Sequence, residues 1–142
     1  MNDDIFSDPR PPVVILAIDN DVKVLDGVKR LLEDEEGVVP TTVDPMEGIQ
    51  LYAERWREIK LVLLDFSMPA LRGDEVFERL RRINRDVRVL LMSAFTDEAP
   101  AEKMLEGGLL VFVEKPFLPD ELVDRVREAI NSPEPPDKPW RE

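Results

Sequence analysis

The sequence predicts an α/β protein: a doubly wound, five-stranded parallel sheet with helices on both faces. Three observations lead there. Short runs that are apolar on both faces recur along the chain, as strands buried between helices require. Stretches with apolar residues at helical spacing fill every gap between them. One run carries a proline and so belongs at the edge of the sheet.

In order, the first strand is predicted over Val13–Ile18, and the stripe Val24, Leu25, Val28, Leu31 and Leu32 makes the first helix. Residues 38–43 form the edge strand, because Pro40 has no N–H to give to a ladder. The second helix shows Ile49, Tyr52, Ala53 and Trp56 on one face. It is entered through Asp44 as N-cap, Pro45 in the first turn and Glu47 at the capping-box position. Residues 61–64 are the third strand, and Val76, Phe77, Leu80 and Ile83 stripe the third helix. Residues 87–92 are the fourth strand, followed by a shorter helix with Ala101, Met104 and Leu105, closed by Gly107 and Gly108. Residues 109–113 are the fifth strand, and Leu122, Val123, Val126, Ala129 and Ile130 stripe the last helix, entered at Pro119. The crossovers should all be right-handed.

The boundaries follow. Residues 1–12 read as a polar, flexible arm ending in Pro9-Arg10-Pro11-Pro12, residues 13–131 as the one domain, and residues 132–142 as a proline-rich, disordered tail. A length of 142 residues suits one domain, and 43% hydrophobic residues suit a globular one. No apolar run approaches a membrane span, and the acidic start Met1-Asn2-Asp3-Asp4 is unlike a secretory signal, so the expected location is the cytoplasm. There is no cysteine, hence no disulfide framework, and no histidine, hence no His triad, His metal site or phosphohistidine carrier. The net charge of −12 disfavours direct nucleic-acid binding. No Gly-rich loop of Walker type argues for ATP.

Unusual groups gather at four strand ends. Asp19-Asn20-Asp21 follows the first strand, Asp65 the third, Ser93 the fourth and Lys115 the fifth. Open α/β sheets bind ligands at the carboxyl ends of their strands. In an order 2-1-3-4-5, the first and third strands are neighbours, which places Asp19, Asp21 and Asp65 around one crevice. Clustered carboxylates need a cation. With oxygen donors only, that cation should be hard, Mg²⁺ or Mn²⁺. A lysine on the opposite lip suits phosphate as a point charge, and a hydroxyl can donate to a phosphoryl oxygen. Taken singly, Asp19 and Asp21 could equally be helix caps, and Lys115 an ordinary surface lysine.

The stretches LAIDND, LVLLDFSMPALRG, LLMSA and FVEKPF resemble the receiver domain of two-component response regulators, over about residues 13–131. The resemblance implies a flavodoxin-like (βα)5 fold and a single-domain phosphoacceptor that is regulatory rather than an enzyme. It implies Asp65 as phosphoacceptor, with metal held by Asp19, Asn20, Asp65 and the backbone carbonyl of Ser67. It also implies Ser93 as switch hydroxyl, Phe112 as switch aromatic, Lys115 as the phosphate-binding lysine, and a cis Lys115–Pro116 bond aiming Lys115 over Asp65. Met68-Pro69 and Gly73 shape the loop after the acceptor strand. The implied donor is a sensor histidine kinase or a histidine phosphotransfer protein, and the output is an unidentified target protein. Homodimerisation through the fourth helix, fifth strand and fifth helix is common in the family.

Three positions depart from the pattern. Asn20 stands where an acid is usual, Arg72 where the residue is often acidic or small, and Phe112 lacks a tyrosine's hydroxyl. Asn20 motivates a second reading, a pseudo-receiver that binds proteins without being phosphorylated. A third reading is a haloacid-dehalogenase-type phosphohydrolase, since Asp19-x-Asp21 after an apolar strand looks like its nucleophile motif; but no chain is left for a cap domain and no late acidic pair follows. Arg72-Gly73-Asp74 spells an adhesion tripeptide and is read as a loop end, with Asp74 capping the third helix.

Overall fold

The computed structural model describes residues 12–35, 37–94 and 111–131. Its elements are β1 (Val13–Ile18), α1 (Val22–Glu33), β2 (Gly37–Val38), β3 (Thr41–Thr42), α2 (Pro45–Arg55), β4 (Ile59–Asp65), α3 (Gly73–Ile83), β5 (Val89–Ala94), β6 (Val111–Lys115) and α4 (Pro119–Asn131). The helix expected around Ala101, Met104 and Leu105 lies outside the described residues, as do the tail and all but the last residue of the arm.

The sheet runs β2-β1-β4-β5-β6, with β3 also on β1. Every pairing is parallel. The predicted fold class and strand order are therefore found, with one refinement. The expected edge strand over 38–43 is two short strands separated by Val39 and Pro40. Pro40 has no N–H, so the regular ladder breaks there. Its carbonyl still accepts from the Ala17 amide at 3.0 Å, and Thr42 accepts from the Asp19 amide at 3.2 Å. The edge thus stays attached to β1 up to the residue that opens the site.

Alternation along the strands builds two cores. Leu16, Ile18, Val62, Leu64 and Leu91 pack with Tyr52, Val76, Phe77 and Leu80 of α2 and α3. Ile15, Ala17, Leu63, Leu90 and Met92 pack with Leu25, Val28, Leu122 and Val126 of α1 and α4. Strands apolar on both faces thus separate two helical layers. Each fully buried leucine contributes about 1.5–3 kcal/mol, so strand positions are strongly held and the carboxyl edge of the sheet is a rigid platform.

The helix starts correct two expectations. Asp44 does cap α2, accepting from the Met46 amide at 3.0 Å with Pro45 in the first turn. Glu47, however, closes no capping box: its carboxylate takes the Thr42 hydroxyl, and the Asp44 amide donates to Thr42 Oγ1 at 3.0 Å. The nearby hydroxyl on β3 is the competing partner that sequence spacing does not show. Asp74 does not cap α3. The cap residue is Arg72, which makes no side-chain cap bond, and Asp74 sits in the first turn, where it favours the helix dipole.

Candidate functional site

β1 and β4 are adjacent, so the residues that end them meet. Asp19, just past β1, is fully buried, and Asp65, the last residue of β4, is 3% exposed. Two buried carboxylates side by side are costly without a cation. The cation present is Lys115, at the end of β6. Its Nζ donates to Asp19 Oδ2 at 2.7 Å and to Asp65 Oδ1 at 3.2 Å. The Lys115–Pro116 bond is cis, and Lys115 reaches back across the strand ends toward Asp65.

The charges respond to this setting. Burial pushes the Asp65 carboxyl up from its ordinary value, and the neighbouring Asp19 pushes the same way; attraction to Lys115 opposes both and does not cancel them. Burial works against the charge on Lys115, but its hydrogen bond to Asp19 and the two carboxylates outweigh it and hold the ammonium above its usual range.

Ser93 is fully buried on β5, one residue beyond Met92, which is the register partner of Asp65. It therefore lies at the same edge. Ser67 follows Asp65 by two residues, and its amide donates to Asp65 Oδ1 at 3.3 Å. Phe112, paired with Leu91, is half-buried against the core on the α2–α3 side.

The triplet after β1 divides its labour. Asp19 Oδ1 accepts from the Asp21 amide at 2.9 Å, which fixes the buried carboxylate. Asp21 is exposed and caps α1, accepting from the Lys23 amide at 2.9 Å. Asp21 thus takes the capping role, which leaves the D-x-D reading without its second acid. Asn20 is exposed. Among the described residues no group of three or more acidic side chains is placed to hold a metal ion. Asp19 and Asp65 supply two buried carboxylates, and Asn20, between Asp19 and Asp21, is a neutral amide.

Two features of this edge were not anticipated from spacing. Arg72 lies over the Phe66 ring, 5.5 Å from its centroid. Gly73 is pressed on the end of β4: a Cβ there would stand 2.7 Å from Phe66 Cα and 3.2 Å from the Asp65 carbonyl oxygen. The sequence marks Gly73 as a loop glycine; only the fold shows that the contact is with Asp65 and Phe66.

Fold and site together define a doubly wound α/β domain with one charged site at the carboxyl edge of its sheet. The chain belongs to the response regulator receiver domain family, whose family model matches residues 15–127. Its class of work is two-component signalling. Response regulator UvrY of Escherichia coli K12 is 26% identical over 115 residues, which span 81% of this chain and 53% of UvrY. Response regulator MprA of a Mycobacterium species (strain KMS) is 30% identical over 128 residues, 90% of this chain and 55% of MprA. The chain thus spans about half the length of these relatives. Among solved structures, a response regulator receiver domain protein from Clostridium thermocellum superposes with a TM-score of 0.80 at 27% identity, covering 84% of this chain and 94% of that one. No described helix is long and apolar enough to cross a membrane.

Proposed function

We propose that this domain accepts a phosphoryl group on Asp65 from a phosphohistidine on a sensor histidine kinase or histidine phosphotransfer protein. One observation carries the reading: Lys115 Nζ lies within hydrogen-bond reach of both buried carboxylates, Asp19 and Asp65, at the carboxyl edge. A lysine held there is a positive charge beside the place where a phosphoryl group on Asp65 would develop negative oxygens.

Asp65 attacks the donor phosphorus with a carboxylate oxygen. The P–N bond to the donor imidazole breaks, and its electron pair leaves with the imidazole. No general base is needed, because a carboxylate has no proton to lose. In-line transfer of this kind depends on positioning and charge neutralisation. Lys115 then moves its hydrogen bond from Asp65 to a phosphoryl oxygen while keeping Asp19, and the Ser93 hydroxyl donates to another. The residues fit a hard divalent ion: Asp19 and Asp65 offer carboxylates, with Asn20 and the Ser67 carbonyl as neutral oxygen donors. Bound there, Mg²⁺ or Mn²⁺ would neutralise charge on the transferred group. The chain itself acts as a regulated acceptor rather than a turnover enzyme. Phe112 is assigned the aromatic switch position, its output a surface read by a target protein. A cytoplasmic location belongs to the same reading.

A second reading is favoured by Asn20, whose neutral amide leaves only two carboxylates at the site: a pseudo-receiver that binds its target without phosphorylation. Intact mass after acetyl phosphate and Mg²⁺ separates the readings. The acceptor gains one phosphoryl group and retains it for a measurable lifetime, a pseudo-receiver gains none, and a phosphohydrolase would instead turn over a generic phosphate ester many times.

A further inference from the structure

The layer of α1 and α4 is not closed along its length. Between α1 and the turn after β6 lies a groove of about 590 Å³ whose floor is Val24, Val28, Leu31, Phe117 and Leu122. That volume falls within the ~300–1,000 Å³ of small-molecule sites. Gly27 opens it. A glycine in mid-helix costs about 1 kcal/mol against alanine, and a side chain at Gly27 would meet nothing within 4 Å. No packing contact therefore explains the glycine, and a larger residue would fill the groove.

The rim is mainly cationic. Lys23 and Arg30 line the groove two turns apart on α1, both exposed. Neither makes an ion pair with another described residue. Lys115 contributes only its stem, since its ammonium is turned to Asp19 and Asp65. In a chain with 31 acidic and 19 basic residues, two uncommitted cations over an apolar floor are an exception to the surrounding charge. Asp34 closes the far end and would repel a second anionic group.

We propose that this groove is a second binding site, one that takes a small amphipathic mono-anion: an apolar body over Val28 and Leu122, with a carboxylate or sulfonate head met by Lys23 and Arg30. The site is independent of the phosphoacceptor reading, because none of its polar contacts uses Asp65, Asp19 or the Lys115 ammonium.

The probe is 8-anilinonaphthalene-1-sulfonate, titrated by fluorescence into the native full chain, with backbone amide shifts mapping where it lies. Saturable binding with shifts centred on α1 and residues 115–122 is expected, and decanoate below its micellar range should compete. Gly27→Leu, a good helix former at an exposed site, should abolish binding, while Gly27→Ala should retain it. Lys23→Gln and Arg30→Gln should each weaken binding about two- to five-fold, as for exposed charge pairs, and more so at low salt. All four variants should still label with acetyl phosphate at the parent rate, so a failed groove leaves the Asp65 assignment standing. No binding by the native chain, undiminished binding by Gly27→Leu, or shifts centred elsewhere would overturn the proposal. Co-sedimentation with phosphatidylglycerol vesicles should not occur; if it does and the soluble anions fail to bind, the face belongs to a bilayer and the proposal is wrong.

Discussion

Replacing Gly73 by alanine tests how tightly Asp65 is held. The new Cβ would sit 2.7 Å from Phe66 Cα, against the 3.4 Å at which ordinary contact begins, so it is about 0.7 Å too close. The atoms it meets include backbone, Phe66 Cα and the Asp65 carbonyl oxygen, so no flexible side-chain end can absorb the whole overlap. Forced overpacking of this kind costs about 1–3 kcal/mol. Alanine's helix propensity offsets at most ~1 kcal/mol, and less at the first helical position. The expected net loss is about 1–2 kcal/mol, a fall of roughly 3–8 °C in Tm for a domain of this size. The segment that yields carries Asp65, whose carboxylate lies 3.2 Å from Lys115 Nζ. Misplacing a reacting group by ~1 Å can cost about 10²-fold, so labelling by acetyl phosphate should slow at least tenfold. Gly27→Ala is the control: with nothing within 4 Å of its Cβ, it should raise stability by up to ~1 kcal/mol and leave labelling unchanged. Differential scanning calorimetry and timed intact-mass measurements read both effects. A Gly73→Ala protein as stable and as fast as the parent would refute the reasoning.

Other consequences follow from the same site. Asp65→Asn should raise Tm at pH 7, because burial and Asp19 hold the Asp65 pKa up and the ionised form is the less stable one when folded. The sign is that of a raised folded-state pKa. The stabilisation of the protonated form is fully present below the unfolded value near 3.8 and lost as pH rises through the folded value, so the mutant's advantage should shrink as pH falls toward 4. A constant difference from pH 7 to 4 would contradict it. Asn20→Asp should tighten Mg²⁺ about tenfold by calorimetry, since each added charge strengthens binding of a hard ion; equal or weaker binding would remove Asn20 from the metal position. Phe112, already half-buried, should rotate little when beryllofluoride is added, so its ring signals in spectra with and without the mimic should nearly coincide; a large change would make it a full two-state switch.

Most of this site was legible because strand ends are legible. Runs apolar on both faces located β1, β4, β5 and β6, and the polar residues that follow each run marked the carboxyl edge: Asp19, Asp65 and Ser93 directly, and Lys115 one place beyond Glu114. Strand lengths were read less well: β4 begins at Ile59, ahead of the predicted 61, because exposed Lys60 interrupts the apolar run. Pro40 correctly indicated an edge but not that the strand resumes beyond it. Partners across the fold were the least accessible. That Glu47 would bond Thr42 rather than its own helix start depends on β3 lying beside α2. That Gly73 would press on Asp65 depends on how the loop after β4 returns. Neither is a matter of spacing along the chain.

The central claim is that Asp65 is the phosphoacceptor. Intact-mass spectrometry of the full chain, incubated with acetyl phosphate and Mg²⁺, tests it most directly when the parent and Asp65→Asn are run side by side. The parent should gain the mass of one phosphoryl group, and Asp65→Asn, folded by circular dichroism, should gain none. Equal labelling of the two proteins would contradict the assignment, and absence of labelling in the parent would leave the pseudo-receiver reading in its place.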